Sequence, residues 1–129
     1  MPGGGGGVEF ATTHCTRGVK EVRVWHGQYI DAVQFVFKDD RVSDKYGGDG
    51  GKPSSFPIGD DDQLICVDIY SGKFVDALQF TTRDGHVSDK FGGPGGRAQK
   101  CGASGGRIIG FRGRAKNLIE SLDVALATE

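Results

Sequence analysis

The sequence predicts an all-β protein: three similar units, each too small to bury its own core, closed around a shared apolar axis as a three-fold barrel or a prism of three sheets. Three observations predict it. The first is an internal repeat. Gly27-Gln28-Tyr29-Ile30-Asp31, running on as Ala32-Val33-Gln34-Phe35, recurs in register 45 residues later as Gly72-Lys73-Phe74-Val75-Asp76 and Ala77-Leu78-Gln79-Phe80. An altered third copy reads Lys116-Asn117-Leu118-Ile119-Glu120, then Ser121-Leu122-Asp123-Val124. The second is a set of glycine clusters, Gly3 to Gly7, Gly47 to Gly51 and Gly92 to Gly96, at offsets of 44 and 45. The third is period-two alternation of β-branched and aromatic residues, with no convincing helical period anywhere.

The elements follow in order within residues 1–129, read as one domain of three repeats of about 44 residues. Each unit runs glycine cluster, short polar stretch, strand, Gly-x-x-x-Asp turn, strand. In the first unit Val22 and Val24 alternate with Arg23 and lead to Trp25, and Val33, Phe35 and Phe37 make the second strand. In the second unit Ile65, Val67 and Ile69 alternate with Cys66 and Asp68, followed by Leu78 and Phe80. Ile109 and Phe111, then Leu122, Val124 and Leu126, take the equivalent places in the third. The tail from Leu118 to Ala127 could be mistaken for a helix, but its register against the two clean repeats makes it a strand. Asp39-Asp40 and Arg83-Asp84-Gly85 are hairpin turns, the second with a glycine available for positive φ.

Composition narrows the function classes. The charged residues balance, 16 basic against 17 acidic. That argues against a broad nucleic-acid surface and against a polybasic membrane patch. No apolar run approaches a membrane span. No signal peptide is seen at the N-terminus, so a cytoplasmic location is the default expectation, with an extracellular one left open. Cys15, Cys66 and Cys101 are odd in number and widely spaced, which suits free thiols better than a disulfide framework or a zinc site. A disulfide between two of them stays open.

The chemistry of the repeated unit points to a ligand. Glycine lets a ligand approach the main chain closely and exposes N–H donors. An aspartate beside such a loop adds two acceptor oxygens. Donors facing acceptors suit vicinal hydroxyls, as on a sugar. A shallow site of this kind gains about 1 kcal/mol per neutral hydrogen bond and more per charged one, so it binds weakly alone and gains by multivalency.

On these residues the chain resembles the jacalin-related lectins over essentially its whole length. The carriers of the resemblance are the two Gly-x-x-x-Asp turns with tyrosine or phenylalanine inside them, each followed by a matching glycine loop. The resemblance implies the β-prism I fold, three four-stranded antiparallel sheets with pseudo-three-fold symmetry. It implies a non-enzymatic protein that binds mannose- or glucose-type glycans, including high-mannose glycans and glycoproteins, without a metal or other cofactor. It also implies a homodimer. The chain runs unbroken through Gly3 to Gly7, which within the family favours mannose over galactose. Carried over residue by residue, the first sugar site is Gln28, Tyr29 and Asp31 with Gly51. The second is Lys73, Phe74 and Asp76 with Gly96. The third would be Asn117, Leu118 and Glu120 with Gly7. The third departs from the pattern: Lys116 replaces a glycine expected to need positive φ, Glu120 is a methylene too long, and Leu118 replaces the aromatic. Two working sites, with a third weak or lost, is therefore the expectation.

Blander roles stand beside these. Asp31 and Asp76 could cap their turns. Trp25 and Tyr70, equivalent in the repeat, are expected to pack within their strands, with sugar stacking the lesser alternative. His14, His26 and His86 are scattered and read as incidental. Asp60-Asp61-Asp62 lacks an EF-hand's spacing and reads as a solvated loop. Glycoside hydrolysis needs two carboxylates roughly 5–10 Å apart at one site, whereas the repeat gives each unit one. The alternative to a lectin is a structural or protein-interaction module with vestigial sites.

Overall fold

The computed structural model describes residues 3–102 and 105–128. It is all-β, with eleven strands and no helix among the described residues. They are β1 (Val8–Ala11), β2 (Val19–His26), β3 (Ile30–Phe37), β4 (Tyr46–Gly47), β5 (Lys52–Pro57) and β6 (Leu64–Ser71). Then come β7 (Val75–Thr82), β8 (Phe91–Gly92), β9 (Arg97–Gly102), β10 (Gly106–Ala115) and β11 (Ile119–Thr128).

The strands form three antiparallel sheets, ordered β4-β3-β2-β5, β8-β7-β6-β9 and β1-β10-β11. Each is built on one long hairpin: β2–β3, β6–β7 or β10–β11. The tail is strand β11, as its register predicted. The third sheet has three strands rather than the expected four. There a single bridge, Gly3 to Ser121, takes the place of β4 and β8. The residue at the sequence position of Tyr46 and Phe91 is Pro2, which lies outside the described residues.

The chain does not keep each unit to itself. The glycine cluster and the edge strand that open one unit complete the sheet of the unit before. Thus β5 pairs with β2 and β9 with β6, while β1 crosses from the first unit to pair with β10. These edge strands are the stretches read as merely polar. Edge strands face water on most sides, so they carry little apolar signal. In β5, Pro53 and Pro57 stand where an edge tolerates a missing N–H.

The inward faces of the sheets meet in one core. Val22, Val24, Phe35, Val67, Ile69, Leu78, Phe80, Ile108, Phe111, Ile119 and Leu122 belong to it. Phe35 and Phe111 stack across two sheets with centroids 3.7 Å apart and planes 6° from parallel. Two sequence assignments shift by one residue, because β-bulges change the phase. A bulge between Leu64 and Cys66 turns those two residues inward and leaves Ile65 half-buried. A bulge between Ile108 and Gly110 makes Ile108 the fully enclosed residue. Leu126, read as a core position, is exposed beyond the end of the packed region.

Both hairpin turns form as expected. Gly85 has φ 91° and Asp40, its counterpart, has φ 68°. The three cysteines are buried and free. Burial raises the thiol pKa of Cys66 and of Cys101.

Candidate functional site

Three tight turns, Gly27–Tyr29, Gly72–Phe74 and Lys116–Leu118, join the paired strands of the long hairpins. Each is closed by one backbone bond of 3.0 Å: Gly27 N–H to Tyr29 O, Gly72 N–H to Phe74 O, and Lys116 N–H to Leu118 O. A β-bulge flanks each turn, where the register shifts between Trp25 and His26, between Tyr70 and Ser71, and between Arg114 and Ala115; the extra residue, on the returning strand, is Asp31, Asp76 or Glu120. A bulge re-aims the extra side chain, and here it sets all three carboxylates apart from the strand pairing in the same way.

These turns correct the expectation about Lys116. Gly27 and Gly72 are not among the residues with positive φ. A side-chain carbon at either would meet nothing within 4 Å. Lysine at the third position therefore causes no backbone strain, and the third turn closes like the others.

The carboxylates lie where the repeat puts them. Asp31 sits against the end of the Gly47–Gly51 loop: a side-chain carbon at Gly50 would lie 2.8 Å from Asp31 Oδ2, and one at Gly51 2.9 Å from Oδ1. Asp76 meets Gly95 and Gly96 in the same way, at 2.7 and 3.0 Å. The last glycine of each loop has positive φ, 87° at Gly51 and 86° at Gly96. Only glycine gives this backbone both its conformation and its nearness to the carboxylate. Glu120 meets Gly6 and Gly7 likewise, but its longer arm brings Oε1 to 2.3 Å from a carbon at Gly6. The third carboxylate reaches its loop and crowds it.

Asp31, Asp76 and Glu120 are half-buried. Among the described residues none of them accepts an intrachain hydrogen bond, so the turn-capping reading of the two aspartates is not what the structure shows. Nor do the N–H groups of Gln28, Tyr29, Lys73 and Phe74 reach a backbone carbonyl among the described residues. Each of the first two sites thus holds N–H donors and two acceptor oxygens without intrachain partners among the described residues, beside its glycine loop. Clefts of about 470, 430, 330 and 300 Å³ elsewhere on the surface are lined by none of the three carboxylates.

The turns also interlock. The Gly93 backbone packs on Gln28 O, Gly48 on Asn117 O and Gly4 on Lys73 O, each so closely that a side-chain carbon would lie 2.2 Å from the oxygen. Each loop serves one carboxylate and leans on a different turn. All three sites therefore gather at one end of the molecule.

Other readings are settled by contacts. Trp25 and Tyr70 face outward beneath lysines, with Lys45 Nζ 4.2 Å and Lys90 Nζ 4.0 Å from the ring centroids. Asp62 is buried rather than solvated, and its Oδ1 accepts from Gln63 N–H and Asp84 N–H at 2.8 and 2.9 Å. The Lys38 ammonium lies on the carbonyls of that loop, donating to Gly59, Asp60 and Asp62. Burial lowers the pKa of Lys38. Among the described residues no group of three or more histidine, cysteine or acidic side chains is placed to hold a metal ion. His26, read as incidental, is not: Gly92 N–H donates to its Nδ1 at 3.1 Å, and its Nε2 lies 2.8 Å from Ser54 Oγ. Its place directly before the first turn was the available signal, but its counterparts are Ser71 and Ala115, so the repeat does not pick it out.

Residues 1–125 match the family model of the jacalin-like lectin domain. No curated protein matches the chain. The structure is similar to that of wild-type Malaysian banana lectin, at 26% identity over 98% of this chain and 94% of that one, with a TM-score of 0.88. It also shares its fold with a mannose-binding jacalin-related lectin from Ananas comosus, at 23% identity, 98% and 94% coverage and a TM-score of 0.88. Artocarpin, solved with mannotriose, shares it at 21% identity, 97% and 93% coverage and a TM-score of 0.88. Repeat, sheets and family model agree, and the chain belongs to the jacalin-like lectin family, whose members are carbohydrate-binding proteins and not enzymes.

Proposed function

We propose that this lectin recognises mannose- or glucose-type glycans, high-mannose glycans included, through two sites per chain. One observation carries the reading: Asp31 and Asp76 each stand against a glycine loop with both oxygens free of intrachain hydrogen bonds among the described residues. The Asp accepts from two sugar hydroxyls. The N–H groups of Gln28 and Tyr29, or of Lys73 and Phe74, approach the ring oxygen and the exocyclic hydroxyl. Gly51 or Gly96 donates from the other side. The named mannose-binding relatives support the sugar class.

The third site, Asn117, Leu118 and Glu120 with Gly7, is weak or silent. The cause is Glu120, whose extra methylene pushes the carboxylate into the space between turn and loop. Pairing as a homodimer would double the number of sites per particle, and sedimentation equilibrium tests it.

A glycan array with free mannose and free galactose as competitors tests the function. Binding to mannose-terminated glycans, blocked by mannose and not by galactose, is the expected result. No binding to any glycan at high protein concentration would move the assignment to an interaction module with vestigial sites.

A further inference from the structure

We propose that His26 is a positioning residue for the second sugar site: its ring, mounted on the first hairpin, helps to seat the Gly92–Gly96 loop against Asp76, and protonation of the ring loosens that seating. The inference rests on the reading of Asp76 and Gly96 as a sugar site.

The ring is held from three directions. Gly92 N–H donates to Nδ1 at 3.1 Å, from the opposite sheet. Nε2 lies 2.8 Å from Ser54 Oγ on β5. Phe91 packs on the ring at 5.4 Å between centroids, tilted by 46°. The next glycine of the loop, Gly93, rests on Gln28 O two residues beyond His26. The loop that faces Asp76 is thus fastened at its base to the first turn as well as to its own hairpin, where β8 pairs with β7 and Gly93 N–H donates to Asp76 O at 3.0 Å.

The chemistry of this joint is conditional. To accept from Gly92, Nδ1 must be unprotonated, which leaves the ring hydrogen on Nε2, directed at Ser54 Oγ. A second proton would sit on Nδ1 and face the Gly92 N–H, donor against donor. The bond would be lost and the ring or the loop would have to move. The charged groups that act on the ring are Asp31 on β3, which favours the proton, and Lys52 on β5, which opposes it. The β8 segment brings only the Phe91 ring and the Gly92 amide, neither of which titrates in this range. Burial outweighs Asp31 and lowers the pKa of His26 below the usual histidine value. The joint is therefore closed at neutral pH and opens on acidification. The matching positions in the other hairpins are Ser71 and Ala115, neither of which titrates there, so this behaviour belongs to one joint of three.

Two measurements test it. In the ligand-free full chain, the Gly92 amide resonance is followed by proton–nitrogen NMR from about pH 7.5 to about pH 4.5, across the histidine range. It is expected to shift with a single midpoint below that of an ordinary histidine, and to lose the step in His26→Gln, whose amide oxygen accepts but does not titrate. In Asp31→Ala, where the second site acts alone, calorimetry with methyl α-mannoside is expected to show affinity falling about five-fold through the same transition, the worth of roughly one hydrogen bond. Because Asp31 favours the proton, this variant's midpoint is expected to lie lower than that of the full chain. Added to Asp31→Ala, His26→Ala should bind weakly at both ends of the range, and His26→Gln should bind well with no pH step. A Gly92 amide that does not titrate, or that still titrates in His26→Gln, overturns the proposal. So does mannoside affinity that falls equally with pH in the Gln variant. If Gly92 titrates as expected but the unmodified chain binds no mannoside at any pH, the seating of the loop is upheld and the sugar-site reading is what fails.

Discussion

Tyr29 and Phe74 meet edge to face, with ring centroids 5.7 Å apart and planes at 79°. They are counterparts in the repeat, 45 residues apart, each at the third position of its turn. Their contact makes the first two candidate sites neighbours at one end of the prism.

Neighbouring sites make the double substitution more telling than either single one. Asp31→Ala or Asp76→Ala alone is expected to halve the stoichiometry for a monosaccharide in calorimetry. For a multivalent glycan surface, each should cost a factor of about 100 or more in avidity. Together they are expected to abolish glycan binding while leaving circular dichroism and the thermal transition unchanged. Normal binding by the double variant would mean the sites lie elsewhere.

The glycine loops are expected to tolerate no side chain where the chain turns beside the carboxylate. Gly51→Ala places a carbon 2.6 Å from His26 N at φ 87°. It should remove the first site and lower stability by about 1–3 kcal/mol. Gly27→Ala meets nothing within 4 Å and should change stability by less than about 0.5 kcal/mol. Urea titrations of the pair check this, and equal losses would refute the distinction drawn between loop and turn glycines.

The proposed contact of carboxylate and main chain with the sugar calls for no metal. Binding to a mannose-coated surface is expected to be the same before and after dialysis against EDTA. Loss on chelation, restored by calcium, would contradict the site as described.

The Phe35–Phe111 stack joins the first sheet to the third. Both rings are fully enclosed, so Phe35→Ala leaves a cavity and is expected to cost about 3–5 kcal/mol in chemical denaturation. A cost below about 1 kcal/mol would mean that the axis is loosely packed.

Asp62 gives a pH dependence of stability. Burial pushes its pKa up, but hydrogen bonds from Thr82, Asp84 N–H and Gln63 N–H outweigh this and leave it below the ordinary aspartate value. A group depressed in the folded state stabilises fully above its unfolded pKa, and that contribution fades as pH falls through the folded one. Stability should therefore decline below about pH 4, and the decline should be shallower in Asp62→Ala. Thermal melts across that range decide it, and parallel profiles for the two proteins would exclude Asp62 as a cause.

The repeat made much of this architecture legible before any coordinates. Matching Gly27–Phe35 to Gly72–Phe80 located the long hairpins, and the glycine clusters located the loops. What stayed hidden has physical causes. Strands β5 and β9 are edges, and neither Lys52–Pro57 nor Arg97–Gly102 has an apolar face to betray it. The inward phase of Leu64, Cys66 and Ile108 depends on bulges, which add a residue without a compositional mark. The assumption that Gly27 needs positive φ came from its residue type, whereas the turn it opens has ordinary backbone geometry. His26 reads as incidental in the sequence because its partner, Gly92, is 66 residues away and offers only a main-chain amide.

The pairing of β1 with β10, Val8 opposite Ala115, ties the beginning of the chain to its last unit. Such a contact has high sequence separation, and the entropy of closing so long a loop must be met before the contact rewards it. During synthesis the first two hairpins can acquire their edge strands while the chain is still growing. The third sheet cannot assemble until β10 and β11 have left the ribosome. Until then β1 and the inward faces of the first two sheets stay uncovered, so the domain is open to aggregation until its third hairpin has formed.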